Sequence, residues 1–201
     1  MCGRYYIDDG RDSVELRQII ESVNRHDAAE QVKTSGEIFP TDLAPVVAGG
    51  GPNDARAMQW GYALAGGRRV INARSETAGQ KPMFRDDLLR RRCAVPATNY
   101  FEWERAPGKK TKYAIRPEGG ELFYMAGIYR LQAGKPVFCI LTRDPAQRIA
   151  FIHDRMPVIL PRDLMRDWID PRFAAGDLLK YAVLDVSFEN AEDAEQLTMP
   201  F

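Results

Sequence analysis

Histidine and cysteine are scarce in this chain, and neither falls into a pattern. Two histidines (His26, His153) and three cysteines (Cys2, Cys93, Cys139) include no C-x-x-C pair and no histidines at helical spacing. That argues against a disulfide-stapled scaffold and against a structural zinc site. Net charge is missing too: 28 basic residues balance 28 acidic ones. A polyanionic partner must therefore be met by a local patch and not by the field of the whole protein. No apolar run reaches the length of a membrane span, no signal peptide precedes Cys2, and no repeat or low-complexity linker divides the chain. The expectation is one cytoplasmic domain with reduced thiols, no membrane association, no metal and no cofactor.

What is present suits a sizeable core. Hydrophobic residues make up 45% of 201 positions, which one domain spanning 1–201 can bury. The pattern reads as α+β, with a mostly antiparallel sheet or barrel and peripheral helices. A strand over Arg4–Ile7 comes first. Asp12-Ser13-Val14-Glu15 then reads as a capping box opening a helix that carries Leu16, Ile19, Ile20 and Val23 and ends near Asn24. Loop follows, with His26 on the surface. A strand over Ala44–Ala48 turns through Gly49–Asp54 into a strand ending at Trp60. A helix over Met83–Arg92 has Pro82 near its first turn and Leu88 and Leu89 inward. Its final Arg90-Arg91-Arg92 suits either the helix dipole or a nucleic acid, the dipole being the simpler reading. Strands are then expected at Cys93–Val95, Tyr100–Trp103, Lys112–Arg116, Leu122–Ile128, Val137–Leu141 and Val158–Leu160. Helical segments are expected at Ala146–Phe151, Arg162–Ile169 and Ala174–Tyr181, before a last strand at Ala182–Val186.

Chemistry concentrates in four short segments. Met1-Cys2-Gly3-Arg4 becomes a 1,2-aminothiol if Met1 is trimmed, and the free α-amine and thiol titrate at about 7.7–8.0 and about 8.5. Such an amine condenses with an aldehyde, and the neighbouring thiol closes the imine to a thiazolidine. Asn72 both donates and accepts hydrogen bonds beside Arg74, whose fork suits a phosphate or a surface Glu76. Glu102 lies in an aromatic strand where alternation separates Tyr100, Glu102 and Glu104 from Phe101 and Trp103. With Phe101 and Trp103 toward the core, Glu102 would face a cleft or solvent. His153 follows apolar sequence and is suited to proton transfer near neutrality. Singly, each segment also has an ordinary structural explanation.

Together, Met-Cys-Gly-Arg at the start, Ile-Asn-Ala-Arg-Ser-Glu-Thr at 71–77, Phe-Glu-Trp at 101–103 and His-Asp-Arg-Met-Pro at 153–157 resemble the SOS response-associated peptidase (SRAP) family. Trp60-Gly61-Tyr62 and Ala126-Gly127-Ile128-Tyr129 look like further family landmarks. The resemblance implies a sensor of abasic sites in single-stranded DNA that forms a covalent thiazolidine crosslink. Carried over, the catalytic residues are Cys2, Asn72, Glu102 and His153. The DNA-binding residues are Arg4, Arg74 and Arg155, with Lys81 and Thr142 alongside. The implied state is a monomer, nucleoid-associated when bound to DNA, with AP-lyase cleavage and self-removal of Met1 as side activities. Two departures stand out. Phe39-Pro40-Thr41-Asp42 occupies a segment where many relatives have an Asn. Ala63-Leu64-Ala65-Gly66-Gly67 occupies one where some bacterial relatives carry paired tryptophans. Competing readings are an N-terminal nucleophile amidotransferase, in which the Cys2 thiol attacks an amide, and a non-catalytic single-strand binding module.

Overall fold

The computed structural model describes residues 2–8, 13–106, 109–120 and 122–191. In the first half of the chain the elements run β1 (Tyr5–Ile7), α1 (Val14–His26), β2 (Gly36–Ile38), β3 (Leu43–Val47), β4 (Ala55–Trp60), β5 (Tyr62–Ala63), β6 (Arg69–Val70), β7 (Asn72–Arg74), α2 (Ser75–Ala78) and α3 (Pro82–Arg90). Long strands dominate next: β8 (Arg92–Ala97), β9 (Asn99–Ala106), β10 (Lys109–Pro117), β11 (Phe123–Gln132) and β12 (Lys135–Arg143). Short pieces finish it: β13 (Met156–Pro157), β14 (Ile159–Leu160), α4 (Met165–Ile169), α5 (Ala175–Leu178) and β15 (Val186–Asn190).

Five of these strands close a barrel. β4, β3, β8, β11 and β12 pair antiparallel in that order, and β12 returns to β4 by a parallel pairing at Val137↔Gln59 and Phe138↔Trp60. β7 joins β12 in parallel beyond that point, with Ile140 opposite Asn72. Gly127 shows how tightly the ring is drawn. A Cβ there would sit 2.8 Å from the Cys93 sulfur and 3.2 Å from the Cys139 carbonyl, so a larger residue would push β8 and β12 off β11. A second sheet, in the order β15-β10-β9-β1-β2, lies beside the barrel. Trp60 joins the two layers, edge-on to Tyr5 of β1 at 5.2 Å and stacked on Phe138 of β12 at 6.2 Å. The α+β architecture and the antiparallel barrel agree with the sequence pattern.

Several local expectations are corrected. Ser13, not a box with Glu15, caps α1 by accepting from the Leu16 N–H at 3.2 Å. Glu15 is taken instead by Tyr124 and Arg162, and Asp12 lies outside the described residues. The helix continues past Asn24 to His26, which is exposed, and closes through the Asp27 N–H on Val23 O at 2.8 Å. Leu89 points outward at 59% exposure. The inner face of α3 is Phe84, Asp87 and Leu88, because buried Asp87 collects Tyr62, Arg91 and Arg130. The arginine run has a structural use. Arg91 pairs with Asp86 and Asp87, and Arg92 starts β8 with its guanidinium on the carbonyls of Leu88, Trp168, Asp170 and Phe173. Arg162–Ile169 divides into a 3-10 turn and α4. The last strand is displaced to Val186–Asn190, where β10 offers a free edge; Val183 makes only a bridge to Ile159.

Candidate functional site

Four residues far apart in sequence meet where β1, β7, β9 and the loop after β12 converge. Cys2 is fully buried just ahead of β1, its sulfur 3.8 Å from the Arg4 carbonyl. The same carbonyl accepts from the Phe101 N–H at 2.9 Å, which ties the N-terminal segment to β9. Asn72 is held from behind: Trp60 Nε1 donates to Ile71 O at 3.0 Å. From there its Nδ2 donates to the Cys2 carbonyl at 2.7 Å, while its buried Oδ1 has no hydrogen-bond partner among the described residues. A buried acceptor left open costs about 1–3 kcal/mol, so the site carries an unmet demand for a donor.

Glu102 is buried on β9, and its Oε2 lies 4.0 Å from His153 Nε2. The other ring nitrogen accepts the Arg155 N–H at 3.1 Å, which leaves the Nε2 proton directed toward Glu102. Asp154 approaches the same Nδ1 at 2.7 Å but is 81% exposed, so it becomes a partner when the imidazole is protonated. Burial, followed by the negative charge of Glu102, pushes the Cys2 thiol well above the usual range. The site therefore keeps a neutral thiol beside a carboxylate and an imidazole.

The strand faces differ from expectation. Tyr100 and Glu102 face the interior, whereas Phe101 belongs to a small separate cluster with Ala114 and Ala191, against which Tyr6 and Trp103 pack. The sheet continues past β9 on both sides, so its inner face could carry a carboxylate toward the barrel.

The expected DNA-binding residues divide by placement. Arg74 and Lys81 are exposed beside α2 and α3. Arg4 is partly exposed, 4.4 Å above the Phe39 ring and 4.9 Å above Trp103, and is paired with Glu37 at 3.1 Å. Thr142 is fully buried. Arg155 is also buried, donating to Asp144 at 2.6 Å, Glu76 at 2.8 Å and Thr142 O at 2.8 Å. Sequence reasoning passed over Trp60 as the brace behind Asn72, and over Tyr5 and Tyr100, whose buried hydroxyls have no partner among the described residues. Their cross-strand pairing is set by β1–β9 register, which no local pattern encodes. Phe39-Pro40-Thr41-Asp42 forms a turn with Thr41 at φ 81°, held by Asp42 accepting the Phe39 N–H at 2.9 Å.

Residues 1–194 match the family described as SOS response associated peptidase (SRAP). The chain is 30% identical over 209 aligned positions to the abasic site processing protein YoaM of Bacillus subtilis, covering 96% of this chain and 89% of that one. It is 33% identical over 116 positions to the abasic site processing protein YedK of Escherichia coli, covering 55% and 52%. Among solved structures, a protein from Bacteroides thetaiotaomicron superposes with a TM-score of 0.77 at 21% identity, over 94% of this chain and 91% of the other.

Proposed function

Because this chain belongs to the SOS response associated peptidase family, we propose that it processes abasic sites in single-stranded DNA by crosslinking to them through Cys2. The observation that carries the reading is the hydrogen bond from Asn72 Nδ2 to the Cys2 carbonyl, 2.7 Å long, beside the Glu102–His153 pair. The Asn72 bond holds the Cys2 carbonyl while burial and the Arg4 carbonyl hold its sulfur, and proximity of that kind removes much of the entropy cost of a two-step closure.

The chemistry starts with loss of Met1, which turns an amide nitrogen into a basic amine. The amine attacks C1′ of the ring-opened sugar and water leaves, giving an imine. Nitrogen reacts first, because only the imine it forms gives the sulfur an electrophilic carbon on which to close the ring. The thiol proton then passes to Glu102 as sulfur adds to the imine carbon, and the nitrogen takes up a proton to complete the thiazolidine. His153, with Nε2 toward Glu102, relays protons and serves the ring oxygen as the sugar opens. Arg4, Arg74 and Lys81 supply cations for phosphates at the rim. Thr142 lies in the wall, and Arg155 braces the His153 loop. Neither a glutamine amidotransferase nor a purely electrostatic binder gives the Glu102–His153 pair a role.

The test is direct. Mature protein incubated with single-stranded DNA bearing one abasic site should give a species that survives denaturation, and Cys2→Ala should not. A denaturation-stable adduct of normal yield in Cys2→Ala, without reductant, refutes the proposal.

A further inference from the structure

Three aromatic rings that the chemistry leaves unused stand beside the candidate site. Phe151, Tyr113 and Phe188 contact one another edge-on, with centroids at 5.9 Å for Tyr113–Phe151, 5.6 Å for Tyr113–Phe188 and 5.4 Å for Phe151–Phe188. They come from three places: the turn after β12, β10 and β15. Register fixes which way two of them face. Tyr113 is opposite Glu102, and Phe188 is opposite Ile115. Strand partners project to the same side of a sheet, so Tyr113, Phe188 and Glu102 share one face. Phe151 lies over that face, two residues before His153. It is 52% exposed, although it follows a turn that buries Ile149 and precedes a buried Ile152. Large exposed side chains occur elsewhere, but this one is the solvent-facing member of an aromatic cluster continuous with the catalytic groups.

We propose that Phe151, held by Tyr113 and Phe188, is a stacking platform for the nucleobase next to the abasic nucleotide. The inference rests on the abasic-DNA reading above. An abasic nucleotide has no base of its own to be gripped, so its register against Cys2 must come from phosphates and from neighbouring bases. Every base offers a π-face, so a ring platform holds any neighbour without reading sequence. Edge-on packing by Tyr113 and Phe188 restricts the Phe151 ring, and about half of the side chain stays exposed for a base.

The experiment uses single-stranded DNA with a tetrahydrofuran residue, an abasic analogue with no aldehyde, so that binding is read without crosslinking. In a second pair of oligonucleotides the base on the 5′ or the 3′ side is removed by placing another tetrahydrofuran there. Phe151→Ala should weaken binding about tenfold on the base-bearing strand, within the range for loss of one stacked base. On one of the two base-less strands the wild type should lose a similar factor and Phe151→Ala should lose nothing further, the signature of coupled partners. Phe151→Leu should behave as Phe151→Ala, and Phe151→Trp should bind at least as well as wild type. Independent losses on both base-less strands, or wild-type affinity in Phe151→Leu, overturn the platform. Crosslinking of aldehyde-bearing DNA at saturating protein is measured in parallel. A wild type that couples to the flanking base yet never crosslinks would retain the platform and refute the covalent reading, and the converse would do the reverse.

Discussion

Replacing Arg155 by methionine keeps the aliphatic stem and removes the fork. The buried guanidinium reaches Asp144 at 2.6 Å, Glu76 at 2.8 Å and the Thr142 carbonyl at 2.8 Å. The Glu76 and Asp144 side chains are 45% and 85% exposed, so each pair contributes only about 0–1 kcal/mol after screening. The bond to the interior Thr142 carbonyl is charge-assisted and contributes about 1.5–3 kcal/mol. A loss of about 1.5–5 kcal/mol follows, or roughly 3–20 °C in Tm at about 2–4 °C per kcal/mol for a domain this long. The acid limb of the stability curve should change as well. Burial alone would raise the Glu76 carboxyl, but the Arg155 hydrogen bond and charge outweigh it and leave it below its ordinary 4.5. A depressed folded value adds stability above the unfolded value and loses it as pH falls through the folded one. Arg155→Met should therefore flatten the loss of stability just below pH 4.5. Calorimetry across pH reads both effects. A phosphate contact predicts something different: wild-type Tm and a binding-versus-salt slope reduced by about 0.7. That result would refute the structural assignment of Arg155.

Three further outcomes follow from the site. Asn72→Ala removes the bond that fixes Cys2, and crosslink formation should slow about 10- to 100-fold, as expected for a buried bond of about 1–3 kcal/mol; unchanged single-turnover kinetics would count against it. Because burial and then Glu102 raise the Cys2 thiol, iodoacetamide should label Cys2 slowly at neutral pH and faster only in strong alkali, with Glu102→Gln accelerating it; labelling at the rate of a free cysteine would contradict the burial. Glu102→Gln and His153→Ala should slow adduct formation about 10²- to 10⁴-fold with affinity for tetrahydrofuran DNA retained, and a proportional loss of affinity would make them binding residues.

The sequence carried the fold where the pattern was local. Alternating apolar residues and glycine turns located all the long strands from β8 to β12, and Pro82 marked the start of α3. It failed where a distant partner decided the outcome. Leu89 looked inward by periodicity, but Asp87 took the inner face because Arg130 of β11 and Tyr62 of β5 wait there. Glu15 was drawn from the helix end by Tyr124 and Arg162. The last strand moved because β10 has an edge at Tyr113–Pro117. At the candidate site, residue identities could be read from four motifs, but their depth could not. Nothing near Arg155 in sequence distinguishes a rim cation from an interior brace, since Glu76 is 79 positions away.

The burial of Cys2 sets a timetable for making the protein. β1 starts three residues after Cys2 and is zipped between β2 and β9, so the terminus is freest for an aminopeptidase before that strand is in place. β9 begins at Asn99. At about 5–20 residues per second of synthesis, its arrival leaves a window of about 5–20 s after the N-terminus is made. Methionine excision by a separate peptidase is thus timed against translation itself, and a chain that keeps its methionine carries an amide nitrogen at Cys2 that cannot condense with an aldehyde. Strong overexpression should then yield two populations with the same fold, one reactive and one inert for as long as its methionine stays, unless the site removes it itself.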